Sequence, residues 1–158
     1  MKEIKTNVMR ILDKAKIAYE PMYYEIDKDD FDGLKVTNLL GLKYEECFKT
    51  LALLYKNELI IAVIPVDKEL DLKKCAKALN VKGLEMVHVK DLKKKVGYER
   101  GSVSPVGINA RHRLIFDSSA KLLSKIEISG GMMGVGLLVD QAALLDFLKA
   151  EVADICRS

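Results

Sequence analysis

The chain has 158 residues, 49% hydrophobic and 31% charged, which is the length of one domain with enough apolar surface to bury a core unaided by metal or disulfide. Its three cysteines, an odd number without C-x-x-C spacing, argue against a disulfide framework or a zinc site, and no stretch approaches membrane-spanning length. The net charge is only +3, so any attraction to a polyanion must come from local clusters. Ile4, Val8, Ile11, Leu12 and Ala15 recur at helical spacing behind Thr6 or Asn7 as a cap and predict an amphipathic helix. Residues 17–26 are rich in Tyr and β-branched side chains but contain Pro21, which suits an edge strand or an irregular extended segment. Asp27 to Asp32 reads as a loop, and Leu34–Leu40 and Tyr44–Phe48 read as short helices separated by Gly41.

The clearest hairpin is Thr50–Tyr55 with Leu59–Ile64, joined across Lys56-Asn57-Glu58. Both strands are nearly continuous in apolar residues, so burial on two faces is predicted, as in a sheet wrapped by helices or closed toward a barrel. Pro65 ends the second strand, Asp71 opens a helix through Leu79, and a strand over 84–87 follows Gly83. Asp91–Val96 is a lysine-rich surface helix. Short strands are predicted at Leu114–Phe116, Ile126–Ile128 and Leu137–Val139. Asp140 caps a last helix whose apolar stripe is Leu144, Leu148, Val152 and Ile155. Without regular βαβ alternation, these elements predict a single α+β domain with a mainly antiparallel or mixed sheet.

Basic residues cluster at Lys73, Lys74, Lys77 and Lys82, at Lys90, Lys93, Lys94, Lys95 and Arg100, and at Arg111 and Arg113. Such clusters can meet phosphates through counterion release, and a solvated helix face explains the same pattern. Cys75 falls on an apolar helical stripe with Leu72, Ala76 and Leu79 and reads as a buried small hydrophobe. The opening Met-Lys-Glu-Ile-Lys-Thr lacks a signal-peptide core, so a reducing cytoplasm is the expected location.

Two loops of small residues stand out, 101–107 (Gly-Ser-Val-Ser-Pro-Val-Gly) and 129–136 (Ser-Gly-Gly-Met-Met-Gly-Val-Gly), each followed by a strand-like run. Glycine permits close backbone approach and serine adds a hydroxyl, while Pro105 fixes its own φ and biases Ser104 away from the helical region. Such loops suit a polar ligand held by backbone. A dinucleotide fingerprint is excluded, because the spacing is Gly131-x-x-Gly134-x-Gly136 and a strand follows instead of a helix. A phosphate-binding P-loop is excluded because no Gly-Lys-Ser/Thr follows. His88 and His112 show no triad context, and no side chain stands out as a nucleophile.

In combination, Phe48-Lys49-Thr50-Leu51, Ile64-Pro65-Val66-Asp67, Gly97-Tyr98, Gly101 with Ser104-Pro105-Val106-Gly107, and Ser129-Gly130-Gly131 with Gly134 resemble the YbaK/EbsC family. These are the stand-alone relatives of the editing domain inserted in bacterial prolyl-tRNA synthetases, and the resemblance runs from about Ile17 through the last helix. It implies a YbaK-type α+β fold and trans-editing, the hydrolysis of the ester between a wrong amino acid and a tRNA. The implied substrate is cysteinyl-tRNA(Pro), and the implied partners are aminoacyl-tRNA and, as a further candidate, prolyl-tRNA synthetase. No cofactor and no metal is implied.

The resemblance also assigns roles. Lys49 would hold the terminal phosphate or polarise the ester. The Gly101 backbone would reach the aminoacyl group or ribose, and Ser129 with Gly130 and Gly131 would offer hydroxyl and amide donors. Tyr24 and Phe31 would line the pocket, with Thr50, Ser104 and Pro105 completing the substrate wall. The attacking group is either the substrate's own thiol or a bound water; both ask the protein only to position and polarise. Departures fall in the second loop: Met132-Met133 replaces a usual Lys-Arg pair, and Gly136 stands where the family carries an acidic or polar residue. An alternative therefore stands beside the enzyme, a non-catalytic tRNA- or protein-binding module that keeps the fold.

Overall fold

The computed structural model describes residues 4–158, in the order α1 (Asn7–Lys14), β1 (Tyr19–Tyr23), α2 (Gly33–Leu40), β2 (Phe48–Tyr55), β3 (Glu58–Pro65), α3 (Leu72–Leu79) and β4 (Glu85–Met86). There follow α4 (Val89–Val96), β5 (His112–Asp117), β6 (Lys125–Met132), β7 (Val135–Asp140), α5 (Gln141–Leu148) and β8 (Glu151–Ala153). Helix starts follow the caps: Thr6 Oγ1 accepts from the Met9 N–H, and Asp32, Asp71 and Asp140 accept at α2, α3 and α5. Gly41 closes α2 at φ +71°, a left-handed end that glycine adopts at no steric cost.

The β2–β3 hairpin pairs Phe48 with Pro65 through Tyr55 with Glu58 around a tight Lys56-Asn57 turn. It occupies the middle of a five-stranded sheet ordered β4-β2-β3-β5-β8, in which β3–β5 and β5–β8 are parallel. A second, antiparallel sheet is ordered β1-β7-β6. Neither closes into a barrel, and the pairing is mixed. Two-sided burial of β3 follows its alternation: Leu59, Ile61 and Val63 enter the core between the sheets with Ile126, Ile128, Leu137 and Val139. Ile60, Ala62 and Ile64 face a second core under α3, with Cys75 and Leu79. β1 lies at a sheet edge, where Pro21 opposite Leu137 costs no ladder bond on its open side.

Some expectations are corrected. Tyr44–Glu46 is only a 3-10 turn, and Phe48 already belongs to β2, because its side chain fills the inter-sheet core. The last helix stops at Leu148, where Lys149 turns left-handed at φ +51°. Val152 then lies in β8, parallel to Phe116, and Ile155 packs in the second core. Residues 129–132 are not a loop before a strand: they continue β6, with a register shift between Ser129 and Met132. Asp117 anchors the tail, its carboxylate accepting from the Ser119 and Ile155 N–H groups at 3.2 and 3.1 Å. No helix among the described residues is long and apolar enough to cross a membrane.

Candidate active site

The two sheets are joined by an isolated parallel bridge between Cys47 and Glu127. A cavity of about 340 Å³ opens beside it, walled by the first half of β2, by Tyr24 and Phe31, by the Gly101–Val103 loop and by β6. β4 pairs with β2 only at Leu53 and Leu54, and the Val87 N–H reaches the Ala52 carbonyl at 2.9 Å. The edge of β2 from Lys49 to Leu51 therefore has no strand partner on its cavity side among the described residues. Its free backbone groups are available to a ligand.

The fold brings Tyr24, Phe31, Lys49, Thr50, Gly101 and Ser129 to this one cavity from five separate stretches of chain. Lys49 is half-buried on β2, and its side chain takes part in no hydrogen bond or ion pair among the described residues. Tyr24 is set by its N–H donating to the Gly134 carbonyl at 3.0 Å. Gly101 has φ +89°, and a Cβ there would meet Met133 Cε at 2.8 Å and the Phe31 ring at 3.2 Å. Met133, at one of the family-departing positions, thus packs with Phe31 over the first glycine loop. Its neighbour Met132 is exposed.

Ser129 ties the loops together: its hydroxyl donates to the Ser102 carbonyl at 3.0 Å and accepts from the Gly131 N–H at 3.1 Å. Both donors are thus engaged within the protein. Ser104, Pro105, Gly130 and Gly131 do not line the cavity. Ser104 is fully buried, and its hydroxyl accepts from the Val106 N–H at 3.2 Å, holding Pro105 in a closed turn. A Cβ at Gly130 would lie 2.7 Å from the Val135 side chain, and one at Gly131 would lie 2.8 Å from Val8 and 3.3 Å from Tyr98. Tyr98 is wedged between the loops, its hydroxyl donating to the Val106 carbonyl and pushed up to about 12 by burial. These residues form the frame behind the cavity wall.

Sequence reasoning passed over Glu127 and read Arg100 only as part of a basic cluster; both line the cavity, Arg100 at an exposed position and Glu127 buried. Glu127 is only 6% exposed. Burial pushes its carboxyl up to about 7, against the pull of a hydrogen bond with Cys47, while burial raises the Cys47 thiol to about 12. A Cβ at residue 136 would overlap Glu127 Oε2, so Gly136 is the space into which this carboxylate fits. The acid missing after Gly134 has a counterpart on the adjacent strand. Among the described residues no three His, Cys, Asp or Glu side chains are grouped to hold a metal ion. The arrangement offers two cations, Lys49 in the wall and the more exposed Arg100, with one buried carboxyl and a free strand edge around a small chamber, the means to orient and polarise a bound ester.

Comparison with known proteins gives a consistent result. Residues 34–147 match the family model described as the aminoacyl-tRNA editing domain. The chain is 35% identical over 152 residues, 96% of its length and 93% of the relative's, to EbsC of Enterococcus faecalis (strain ATCC 700802 / V583), provisionally named a Cys-tRNA(Pro)/Cys-tRNA(Cys) deacylase. The fold matches the crystal structure of the hypothetical protein APE2540 with TM-score 0.86 at 22% identity, covering 95% of this chain and 99% of that one. It also matches a protein provisionally described as a trans-editing enzyme for prolyl tRNA synthetase, with TM-score 0.81 at 17% identity over 99% and 100% of the two chains. With a family model spanning most of the chain and a near-full-length relative above 30% identity, this chain belongs to the aminoacyl-tRNA editing domain family.

Proposed function

We propose that this protein is an aminoacyl-tRNA deacylase that edits in trans, with Cys-tRNA(Pro) as its preferred substrate. The observation that carries the reading is the convergence of Lys49, Thr50, Gly101, Ser129, Tyr24 and Phe31 on one small cavity beside a free strand edge. The name of the Enterococcus relative supports the choice of amino acid and tRNA. Hydrolysis adds water to the ester carbonyl carbon; the tetrahedral oxyanion collapses, the carbon–oxygen bond to the ribose breaks, and the ribose oxygen takes up the proton. With a cysteinyl ester, the substrate thiol can attack instead, passing its proton to the ribose oxygen and leaving a cyclic thioester for later hydrolysis. In either route the Lys49 ammonium stabilises charge on the ester oxygen or neutralises the terminal phosphate. The strand edge and the Gly101 backbone hold the ester in place.

Met133 over Gly101 favours a second reading, a binding module whose loop has traded cations for apolar cover. Deacylation of Cys-tRNA(Pro), Ala-tRNA(Pro) and Pro-tRNA(Pro), with and without prolyl-tRNA synthetase, separates the two. The expected result is turnover of the mischarged species, Cys above Ala, and a fall of roughly 10²-fold in kcat for Lys49→Ala, the loss typical of one removed oxyanion donor. No turnover of any mischarged tRNA would leave the binding module standing.

A further inference from the structure

Glu127 is an acid in a place where acids are costly. It sits on β6 between Ile126 and Ile128, which point into the inter-sheet core, so its side chain emerges on the opposite, cavity face with Ser129. Burial of a carboxylate needs a partner, and the surroundings supply little. Facing it are the Cys47 thiol at the entry to β2, Tyr24 beyond β1, and from β7 the bare backbone of Gly136; Leu40 of α2 closes the far side. None of these is cationic. Glu127 enters no ion pair among the described residues, and neither Lys49 nor Arg100, on the same cavity, is among the groups that shift its ionisation. Glycine at 136 keeps open the space this side chain fills.

An unpaired carboxylate lining a substrate chamber calls for a cation brought by the ligand. Every aminoacyl ester carries one, the free α-ammonium next to the ester carbonyl. Resting on the deacylase reading above, we infer that Glu127 is the ammonium-binding residue of this cavity: its carboxylate receives the α-ammonium and so sets the carbonyl against Lys49 and the free edge of β2. The protein would thereby select substrates with an unmodified amino group and reject N-acylated ones, such as peptidyl or formylated esters. Between pH 6 and 7 ligand binding also expels the proton that the empty cavity keeps on Glu127, since the ammonium favours the charged form.

The probes are the non-hydrolysable 3′-deoxy-3′-cysteinylamino- and alanylamino-adenosines and their N-acetyl derivatives, titrated by calorimetry into wild type and Glu127→Gln. Wild type is expected to bind the better free-amine amide roughly ten- to a hundredfold tighter than its N-acetyl form, the range for a charged hydrogen bond. Glu127→Gln should narrow that preference to about threefold or less and abolish the dependence of binding heat on buffer ionisation enthalpy at pH 6.5. Equal affinity for free and acetylated forms in wild type, or an undiminished preference in Glu127→Gln, overturns the inference while the deacylase reading stands. Free-amine preference without turnover of any aminoacyl-tRNA supports the ammonium site and overturns the deacylase reading. Failure of every amide to bind overturns the inference.

Discussion

At Gly101 two independent constraints meet in a single residue. Its φ of +89° disfavours any side chain, and the space a Cβ needs is taken by Met133 and Phe31. Gly101→Ala is therefore expected to lower stability by about 1–2 kcal/mol from backbone strain alone, and to reduce kcat/KM roughly tenfold or more by pushing Met133 aside and displacing Phe31 from the cavity wall. Gly41→Ala is the control: its φ of +71° imposes similar strain, but nothing lies within 4 Å of its Cβ position, so denaturant stability should fall while kcat/KM is kept. Lys49 and Gly101 were legible because their neighbours form recognisable motifs. Glu127 was not, because Ile-Glu-Ile reads locally as a strand with a polar solvent face. Only the five-stranded sheet, arriving through Cys47 at the entry to β2, shows that this face is covered. Gly130 and Gly131 were recognisable as special, yet their nearest neighbours, Val135, Val8 and Tyr98, come from three other segments that no spacing rule connects.

Among the elements, β3 shows what an apolar run can and cannot disclose. Its unbroken hydrophobicity implied two covered faces, and the structure assigns Ile60 to the core under α3 and Ile61 to the core between the sheets. Ile60→Ala and Ile61→Ala are each expected to cost about 2–5 kcal/mol. Because the two side chains pack into different clusters, the double variant should show the sum of the two losses to within about 0.5 kcal/mol in urea unfolding. Marked non-additivity would show that the clusters act as one. The last helix was misread for a related reason. Leu144, Leu148, Val152 and Ile155 share a helical spacing, but Val152 is claimed by parallel pairing with Phe116 and Ile155 by the second core. Parallel pairing joins residues far apart in the chain, which local periodicity cannot register.

For the whole molecule, charge is a matter of placement. α4 turns Val89 and Leu92 to the cavity, while Lys94 and Lys95 border a groove shared with Arg111, His112 and Arg113. A tRNA body laid against this side would meet these cations through its phosphates. Lys94→Glu with Lys95→Glu is expected to weaken aminoacyl-tRNA binding and to lower the slope of log K against log salt by roughly one per lysine. Binding of the short adenosine amides should stay unchanged. Equal weakening of both ligands would point to damage at the cavity itself. By itself the sequence determined the class of fold, most helix starts, the central hairpin and the family, because caps, hydrophobic period and short motifs act over a few residues. Tertiary structure alone decided that two sheets meet at Cys47 and Glu127, that β2 keeps a free edge there, and which small residues face the cavity. Those outcomes depend on contacts between distant segments, where exclusion of volume and burial of charge, rather than local pattern, select the arrangement.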